Sequence, residues 1–339
     1  MDQPLGPNFF LVGAMKAGTT AVYDSLGSHP QVYCSPIKEP NFFSDDLDID
    51  QFTLSDARAN SAFDADAYVL GPMDRPVHEA YVRSSATYSA LFRMAAGKAI
   101  GECSTSYLYS TAAAHNIRRA VPHARIVMIL RNPVERAISQ YYMECRIGTA
   151  CEPFGSLLHQ DLAAPRKLWG NSRLYVELGR YVEQVARYLD QFPREQVKII
   201  VYDDLRADFH GVITDILTFL GVDPALQPPA IAMSNRARVP RSAQINYLLN
   251  QFGVKHLINR ALPQPVIELG KRLYYRRPNG NGVTEADRER LRALLADEVT
   301  ALSQLLGRDL SSWLASPPHR HAAAAPAGHE QLKAQRAAA

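Results

Sequence analysis

Phe10-Leu11-Val12-Gly13-Ala14-Met15-Lys16-Ala17-Gly18-Thr19-Thr20 is the stretch on which the fold turns. An apolar run stops at Gly13, a loop of small residues follows, and a helix-like segment begins after Thr19. Strand, glycine loop and helix in that order outline a phosphate cradle. The first turn of a helix offers unpaired N–H groups and the positive end of the helix dipole to an anion. The glycines keep the spacing of the Walker A pattern, G-x-x-x-x-G-K-[ST], at Gly13 and Gly18. Thr19 stands where that pattern puts lysine, and the lysine lies inside the loop as Lys16. The expectation is a loop that holds an anion through the N–H groups of Ala17, Gly18, Thr19 and Thr20. The two threonine hydroxyls add donors, and Lys16 reaches a bridging or transferring oxygen. Taken alone, the loop supports this cradle and a plain glycine-rich turn with a surface lysine equally.

Working outward, residues 9–13 read as a buried strand and 19–28 as a helix, with Val22, Tyr23 and Leu26 at helical spacing. His29-Pro30 closes that helix, since the residue before proline is driven from the helical region. Residues 31–34 form a short strand. Residues 44–75 are an irregular excursion with surface loops, and 78–97 a helix carrying Tyr81, Tyr88, Leu91 and Phe92 on its apolar face. Arg125-Ile126-Val127-Met128-Ile129-Leu130 is a continuous apolar run, as in a strand covered on both faces. Helices at 134–145, 174–192, 209–220 and 285–306 and a strand at 197–202 follow. Strands alternating with helices give an α/β, P-loop-like three-layer fold, with a central, mostly parallel sheet flanked by helices. No linker divides the chain, so a single domain over 8–314 is expected. The Ala- and Pro-rich residues 315–339 form a tail expected to be disordered.

The chain has 339 residues, 47% hydrophobic and 21% charged, with a net charge of +3. That charge is too mild to argue for nucleic acid and leaves room for a local basic pocket. No segment approaches the ~20 apolar residues of a membrane span, and Met1-Asp2-Gln3-Pro4 has no basic and apolar leader pattern. Four cysteines, Cys34, Cys103, Cys145 and Cys151, are too few for a disulfide framework in so long a chain. Cys145 and Cys151 can pair or bind metal, but no zinc spacing is present, and ordinary thiols are the simpler reading. The cytoplasm is the simplest compartment, and oligomeric state is not readable.

The end of the second apolar strand narrows the ligand. Arg131 follows Leu130, at the carboxyl end of a strand, where open α/β sheets bind ligands. Ser139 lies two turns into the next helix. An arginine fork and a hydroxyl suit a second phosphate. A Walker B strand ends in an aspartate that holds Mg²⁺, whereas this strand ends in arginine. A metal-held triphosphate is disfavoured, and a nucleotide with two separate anionic ends is favoured.

These segments resemble the sulfotransferases that use 3′-phosphoadenosine-5′-phosphosulfate (PAPS), in their bacterial and heparan-sulfate-like branch. Gly13 to Thr20 looks like the family's 5′-phosphosulfate loop, and the run from Arg125 to Tyr142 like its 3′-phosphate motif. Lys38-Glu39-Pro40-Asn41-Phe42-Phe43 is similar to the family's K-E-P-H-F-F segment. Gly101-Glu102-Cys103-Ser104-Thr105-Ser106-Tyr107 is similar to its G-E-x-S-P-x-Y segment. Gly179-Arg180-Tyr181, Tyr202-Asp203-Asp204-Leu205, Val239-Pro240-Arg241-Ser242 and the closing segment 285–313 follow in order, so the likeness covers about 8–314. The resemblance implies PAPS as sulfuryl donor, PAP as product and no metal. It implies Glu39 as general base and Lys16 at the leaving oxygen, with Glu102 as a second active-site carboxylate that orients the acceptor, or as a structural group. It also implies Arg131 and Ser139 on the 3′-phosphate, with Arg241 on a closing loop near Arg236 and Arg238. Phe42 and Phe43, beside Glu39, are expected to desolvate its carboxylate and raise its pKa.

Two positions depart from the pattern. Asn41 stands where many relatives have histidine, so no histidine relay is available there. Cys103 stands where the glycan-sulfating enzymes carry lysine. Both point away from an acidic polysaccharide and toward a small-molecule hydroxyl, on a sugar, lipid or secondary metabolite. A carbohydrate or polysaccharide sulfotransferase is the alternative within the class. A P-loop kinase or NTPase requires a lysine where Thr19 stands. A non-catalytic PAP-binding protein would not need Lys16 and Glu39.

Overall fold

The computed structural model describes residues 6–228, 238–252, 254–255, 263–276 and 282–315. Five parallel strands form the central sheet: β1 at Phe9–Leu11, β2 at Val32–Cys34, β5 at Ala99–Cys103, β6 at Arg125–Leu130 and β7 at Val197–Val201. Their order across the sheet is β2-β5-β1-β6-β7. All of β1 and β5, and Ile126–Leu130 of β6, are buried, as expected of strands with both faces covered. β1 pairs with β5 on one side (Phe9 opposite Gly101) and with β6 on the other (Phe9 opposite Arg125). Bonds from Ala14 N to Ile129 O (2.7 Å) and from Ile129 N to Gly13 O (2.8 Å) carry this pairing into the glycine loop.

Helices flank the sheet. Thr19–Gly27 packs on Phe209–Phe219, Ala113–Ala120 packs on Tyr181–Gln191, and the latter packs on the long helix Glu285–Leu306. That last helix also packs on Pro133–Ile147. It starts with a capping box, Thr284 and Asp287 exchanging bonds across the first turn. The α/β layering expected from the sequence is the observed one. No helix among the described residues is long and apolar enough to cross a membrane.

Three expectations change. Residues 78–97 are not one helix: Val77–Glu79 is a strand, β4, and only Ser85–Ala90 is helical. β4 lies parallel to β3 (Ile37–Glu39), with Glu39 opposite Glu79. Ala80 N to Glu39 O and Val82 N to Pro40 O, both 2.9 Å, extend the pairing and claim donors that a helix would need. Residues 44–75 contain helices at Ser55–Ser61 and Ala65–Leu70. The helix expected at 174–192 begins only at Tyr181, after a 3-10 turn at Glu177–Gly179. A small antiparallel pair, β8 (Val239–Pro240) with β9 (Tyr275–Arg276), closes the inventory. Of the expected tail, residues 316–339 lie outside the described residues, as does Arg236.

Candidate active site

The glycine loop leaves β1 at the carboxyl edge of the sheet. Gly18 caps the following helix at φ 88°, and a Cβ there would lie 3.2 Å from both Leu205 Cδ2 and Tyr202 Cε2. Left-handed backbone and close approach together demand glycine. Lys16 also takes positive φ, 68°, at the crest of the loop. Among the described residues no carbonyl takes the N–H groups of Gly18, Thr19 or Thr20, so all three stay free for an anion. Ala17, expected to be a fourth donor, is not: its N–H is spent on Ala14 O at 3.1 Å. The loop's tight turn consumes it. Thr19 is buried and its hydroxyl lies against Cys103, which leaves Thr20 as the more exposed hydroxyl.

Arg131 leaves the end of β6 and donates from Nη1 to Lys16 O at 2.8 Å, with its guanidinium 4.7 Å from the centre of the Tyr202 ring. Tyr181 Oη donates in turn to Arg131 O (3.0 Å). The next helix is started by Asn132, whose side chain accepts from Val134 N and Glu135 N, with Pro133 in the first turn. That helix carries Ser139, Tyr142, Met143 and Arg146 to one cavity. Lys16 Nζ contacts Met143 Sδ at 3.2 Å. Burial, then Arg146 and Arg131, lower the Lys16 pKa to about 8.

Glu39 faces this loop from β3. Its Oε1 pairs with Lys38 Nζ at 2.5 Å, and its Oε2 accepts from Thr105 N (3.1 Å) and Thr105 Oγ1 (2.7 Å). Burial pushes the carboxyl pKa up, but Lys38, His78 and Thr105 outweigh it, and the net direction is down. The expected rise from Phe42 and Phe43 is therefore overturned. Those rings turn into the core: Phe42 stacks on Tyr88 at 4.1 Å, and Phe43 packs edge-on to Phe10 at 5.5 Å. They pack on Tyr88 and Tyr107, the two tyrosines that donate to Glu102. Asn41, at φ 52°, locks this corner through Nδ2 bonds to Glu39 O (3.0 Å) and Ala80 O (2.9 Å).

A cavity of about 1030 Å³ brings most of the expected residues together. Lys16, Gly18, Thr19, Thr20, Glu39, Arg131 and Ser139 all line it. Glu102 does not. It is 1% exposed, and its carboxylate is enclosed by Tyr88 Oη (2.8 Å), Tyr107 Oη (2.7 Å) and Ser104 Oγ (2.6 Å). Burial raises its pKa to about 7 against those three bonds. Glu102 is thus held inside the fold by its neighbours' hydroxyls and does not line the cavity. Arg241 is also outside the lining: its Nε donates to Leu273 O at 2.8 Å, whereas Arg238 lines the cavity.

Among the lining residues that the sequence reading did not place in the site are His78, Glu79 and Tyr81, on and just after β4, and Trp169, whose Nε1 donates to Tyr81 Oη. Val77, Glu79 and Tyr81 share one face of the strand but mix a charge with apolar side chains, so no apolar/polar alternation marks β4 in the sequence.

A parallel α/β sheet with a glycine loop after β1, an arginine at the neighbouring strand end and a carboxylate lining the same cavity defines the class: the P-loop-like α/β proteins. The chain belongs to the sulfotransferase family, whose model ("Sulfotransferase family") matches residues 7–226. It is similar to a sulfotransferase from Alicyclobacillus acidocaldarius of known crystal structure, at 29% identity and TM-score 0.65, covering 91% of this chain and 99% of that one. It is 26% identical over 226 residues to a bifunctional heparan sulfate N-deacetylase/N-sulfotransferase of Drosophila melanogaster, covering 65% of this chain and 20% of that protein. It is 29% identical over 221 residues to the human enzyme named bifunctional heparan sulfate N-deacetylase/N-sulfotransferase 3, covering 64% and 22%. The chain thus spans about a fifth of the length of these two curated relatives.

Proposed function

We propose that the chain transfers a sulfuryl group from PAPS to a hydroxyl of a small-molecule acceptor. One observation carries the reading. The unclaimed N–H groups of Gly18, Thr19 and Thr20, with Lys16, face Glu39 across a single cavity that Arg131 and Ser139 also line. The residues fit a ligand with two anionic ends. The loop donors and Lys16 would hold the 5′ end, Arg131 and Ser139 the 3′-phosphate, and Tyr202 offers a ring beside Arg131. When bound, PAPS supplies the sulfuryl group.

The chain's own residues do the rest. Glu39 stays ionised because Lys38 and Thr105 hold its carboxylate, so it is ready to take the acceptor's hydroxyl proton. Lys16, with Arg131 bonded to its carbonyl, places positive charge where negative charge develops on the departing side. Arg238, which lines the cavity, is a better partner for the nucleotide than Arg241. The family names of the curated relatives keep a carbohydrate acceptor as the alternative, supported by the matches to heparan sulfate enzymes.

Calorimetry tests the donor. PAP is expected to bind at micromolar concentration without Mg²⁺. Metal-dependent ATP binding with no PAP binding would overturn the proposal in favour of a P-loop kinase or NTPase.

A further inference from the structure

The cavity has a second carboxylate that the donor reading does not use. The register of β3 and β4 places Glu79 opposite Glu39. Glu79 Oε2 accepts from Asn60 Nδ2 (2.7 Å), and Oε1 accepts from Tyr81 Oη (2.9 Å). Tyr81 Oη is itself held by Trp169 Nε1 at 2.8 Å. Asn60, Glu79, Tyr81 and Trp169 therefore form one bonded group, and all four line the same cavity as Lys16 and Glu39. Each oxygen of Glu79 has accepted one bond and keeps a lone pair for a ligand.

The charge around this group is one-sided. Asp56, on the helix Ser55–Ser61, also lines the cavity and acts electrostatically on Glu79 with the same sign. The cations near this wall are engaged elsewhere. Lys38 is paired with Glu39, and Arg173 is paired with Glu144 at 2.6 Å and donates to Thr149 O. Arg146 and Arg131 lie with Lys16 on the donor side. His78, the imidazole on the same strand, has its pKa lowered by burial and then by Lys38. Burial, then Glu39, raises the Glu79 pKa to about 7 against the Tyr81 bond, so the carboxylate carries no paired cation.

Resting on the sulfotransferase reading above, we propose that Glu79, with Asp56, Asn60 and Trp169, forms the acceptor subsite, and that it takes a hydroxylated compound bearing an amine or neutral hydroxyls while rejecting one bearing a carboxylate or sulfate. Glu79 accepts a hydrogen bond from the acceptor's ammonium or a non-reacting hydroxyl, and Trp169 supplies the aromatic face that a ring or a cation packs on. An acidic acceptor meets two carboxylates here, while Lys38 and Arg173 are paired with other carboxylates and Arg131 and Arg146 act on Lys16, and unpaired like charges are costly.

The test uses three phenyl glucosides that differ only at carbon 6, as hydroxyl, amine or carboxylate. Their affinities for the full-length protein are measured by ligand-observed NMR, with PAP binding measured separately by calorimetry. The amine is expected to bind tightest and the carboxylate at least ~10-fold more weakly. Glu79→Gln should collapse the difference between amine and hydroxyl, and Glu79→Lys should reverse the order of amine and carboxylate, both with PAP affinity retained. Carboxylate binding equal to or tighter than amine in the unmodified protein overturns the subsite. So does an order that Glu79→Gln and Glu79→Lys leave unchanged, or no binding of any of the three. Loss of PAP binding by the unmodified protein would instead overturn the donor reading, whatever the order of the glycosides.

Discussion

Two side chains carry the proposed chemistry, and each makes a separate prediction. Glu39 is buried and bonded at both oxygens, with a pKa held below the usual carboxylate range by Lys38 and Thr105 against the pull of burial. It stays ionised through the neutral range and so is available to accept a proton, though as a weaker base than the raised pKa expected from Phe42 and Phe43 would make it. Glu39→Gln is therefore expected to lower kcat by about 10²–10⁴-fold, the usual contribution of a general base. PAP affinity should stay nearly constant. Full turnover in the Glu39→Gln variant would remove Glu39 from the mechanism. Lys16 has a pKa of about 8 because it is buried beside Arg146 and Arg131. Deprotonation removes its charge as pH rises through that value, so PAP affinity should fall above pH 8. Lys16→Arg should flatten that limb, since arginine stays charged. An unchanged pH profile in Lys16→Arg would count against Lys16 as the titrating group. Lys16 was legible in the sequence because the loop that places it is local. The surroundings of Glu39 were not, because successive residues around a strand point different ways, and adjacency in sequence does not put Phe42 and Phe43 beside its carboxylate.

At the level of elements, the site depends on two strand ends held together. Arg131 at the end of β6 donates to Lys16 O in the loop after β1, so it braces the cradle as well as facing the cavity. Arg131→Ala should therefore weaken both PAP and adenosine 5′-phosphosulfate, and PAP more. A charge-assisted bond is worth about 1.5–3 kcal/mol, so a loss of roughly 10–100-fold is expected for PAP. The smaller loss for adenosine 5′-phosphosulfate, which has no 3′-phosphate, reports the brace alone. Equal losses for both ligands would show that Arg131 only braces the loop. β1 and β6 were readable as apolar runs, and the helix Glu285–Leu306 was readable to the residue because Thr284 and Gly307 mark its ends. β5 was not readable, although it lies between β2 and β1. Its sequence, Ala99-Ile100-Gly101-Glu102-Cys103, carries a glycine and a charge, which are poor strand formers in isolation. Tertiary context decides it: a Cβ at position 101 would lie 2.4 Å from Phe9 O, so glycine permits the strand to pack there. β4 was lost for a related reason, since its pairing with β3 is a long-range contact with no local signature.

Across the whole molecule, the cavity is assembled from segments between Met15 and Asn250, and its rigidity rests on buried polar groups behind it. Glu102 is the clearest of these. It takes hydroxyl bonds from Tyr88, Ser104 and Tyr107, so it ties the segment before β5 to the turn after it. Its pKa near 7 lies above the ordinary value of 4.5 because burial disfavours the charge. The folded state therefore binds more protons than the unfolded chain between about pH 4.5 and 7. Stability from this group is fully present below that window and is lost as pH rises through it, by at most about 1.4 kcal/mol per pH unit. In Glu102→Gln the new side chain does not titrate, and its amide keeps one oxygen for the tyrosines. The Tm of the unmodified protein minus that of Glu102→Gln should therefore fall between pH 5 and 7 and level off above. Glu79, whose pKa is also near 7, titrates in both proteins and cancels in the difference. A difference that is flat with pH would show that Glu102 does not carry the shifted proton. Because Glu102 lies outside the cavity, PAP affinity should be unchanged in the variant. Acceptor turnover lost with both stability and PAP binding intact would return Glu102 to the catalytic set.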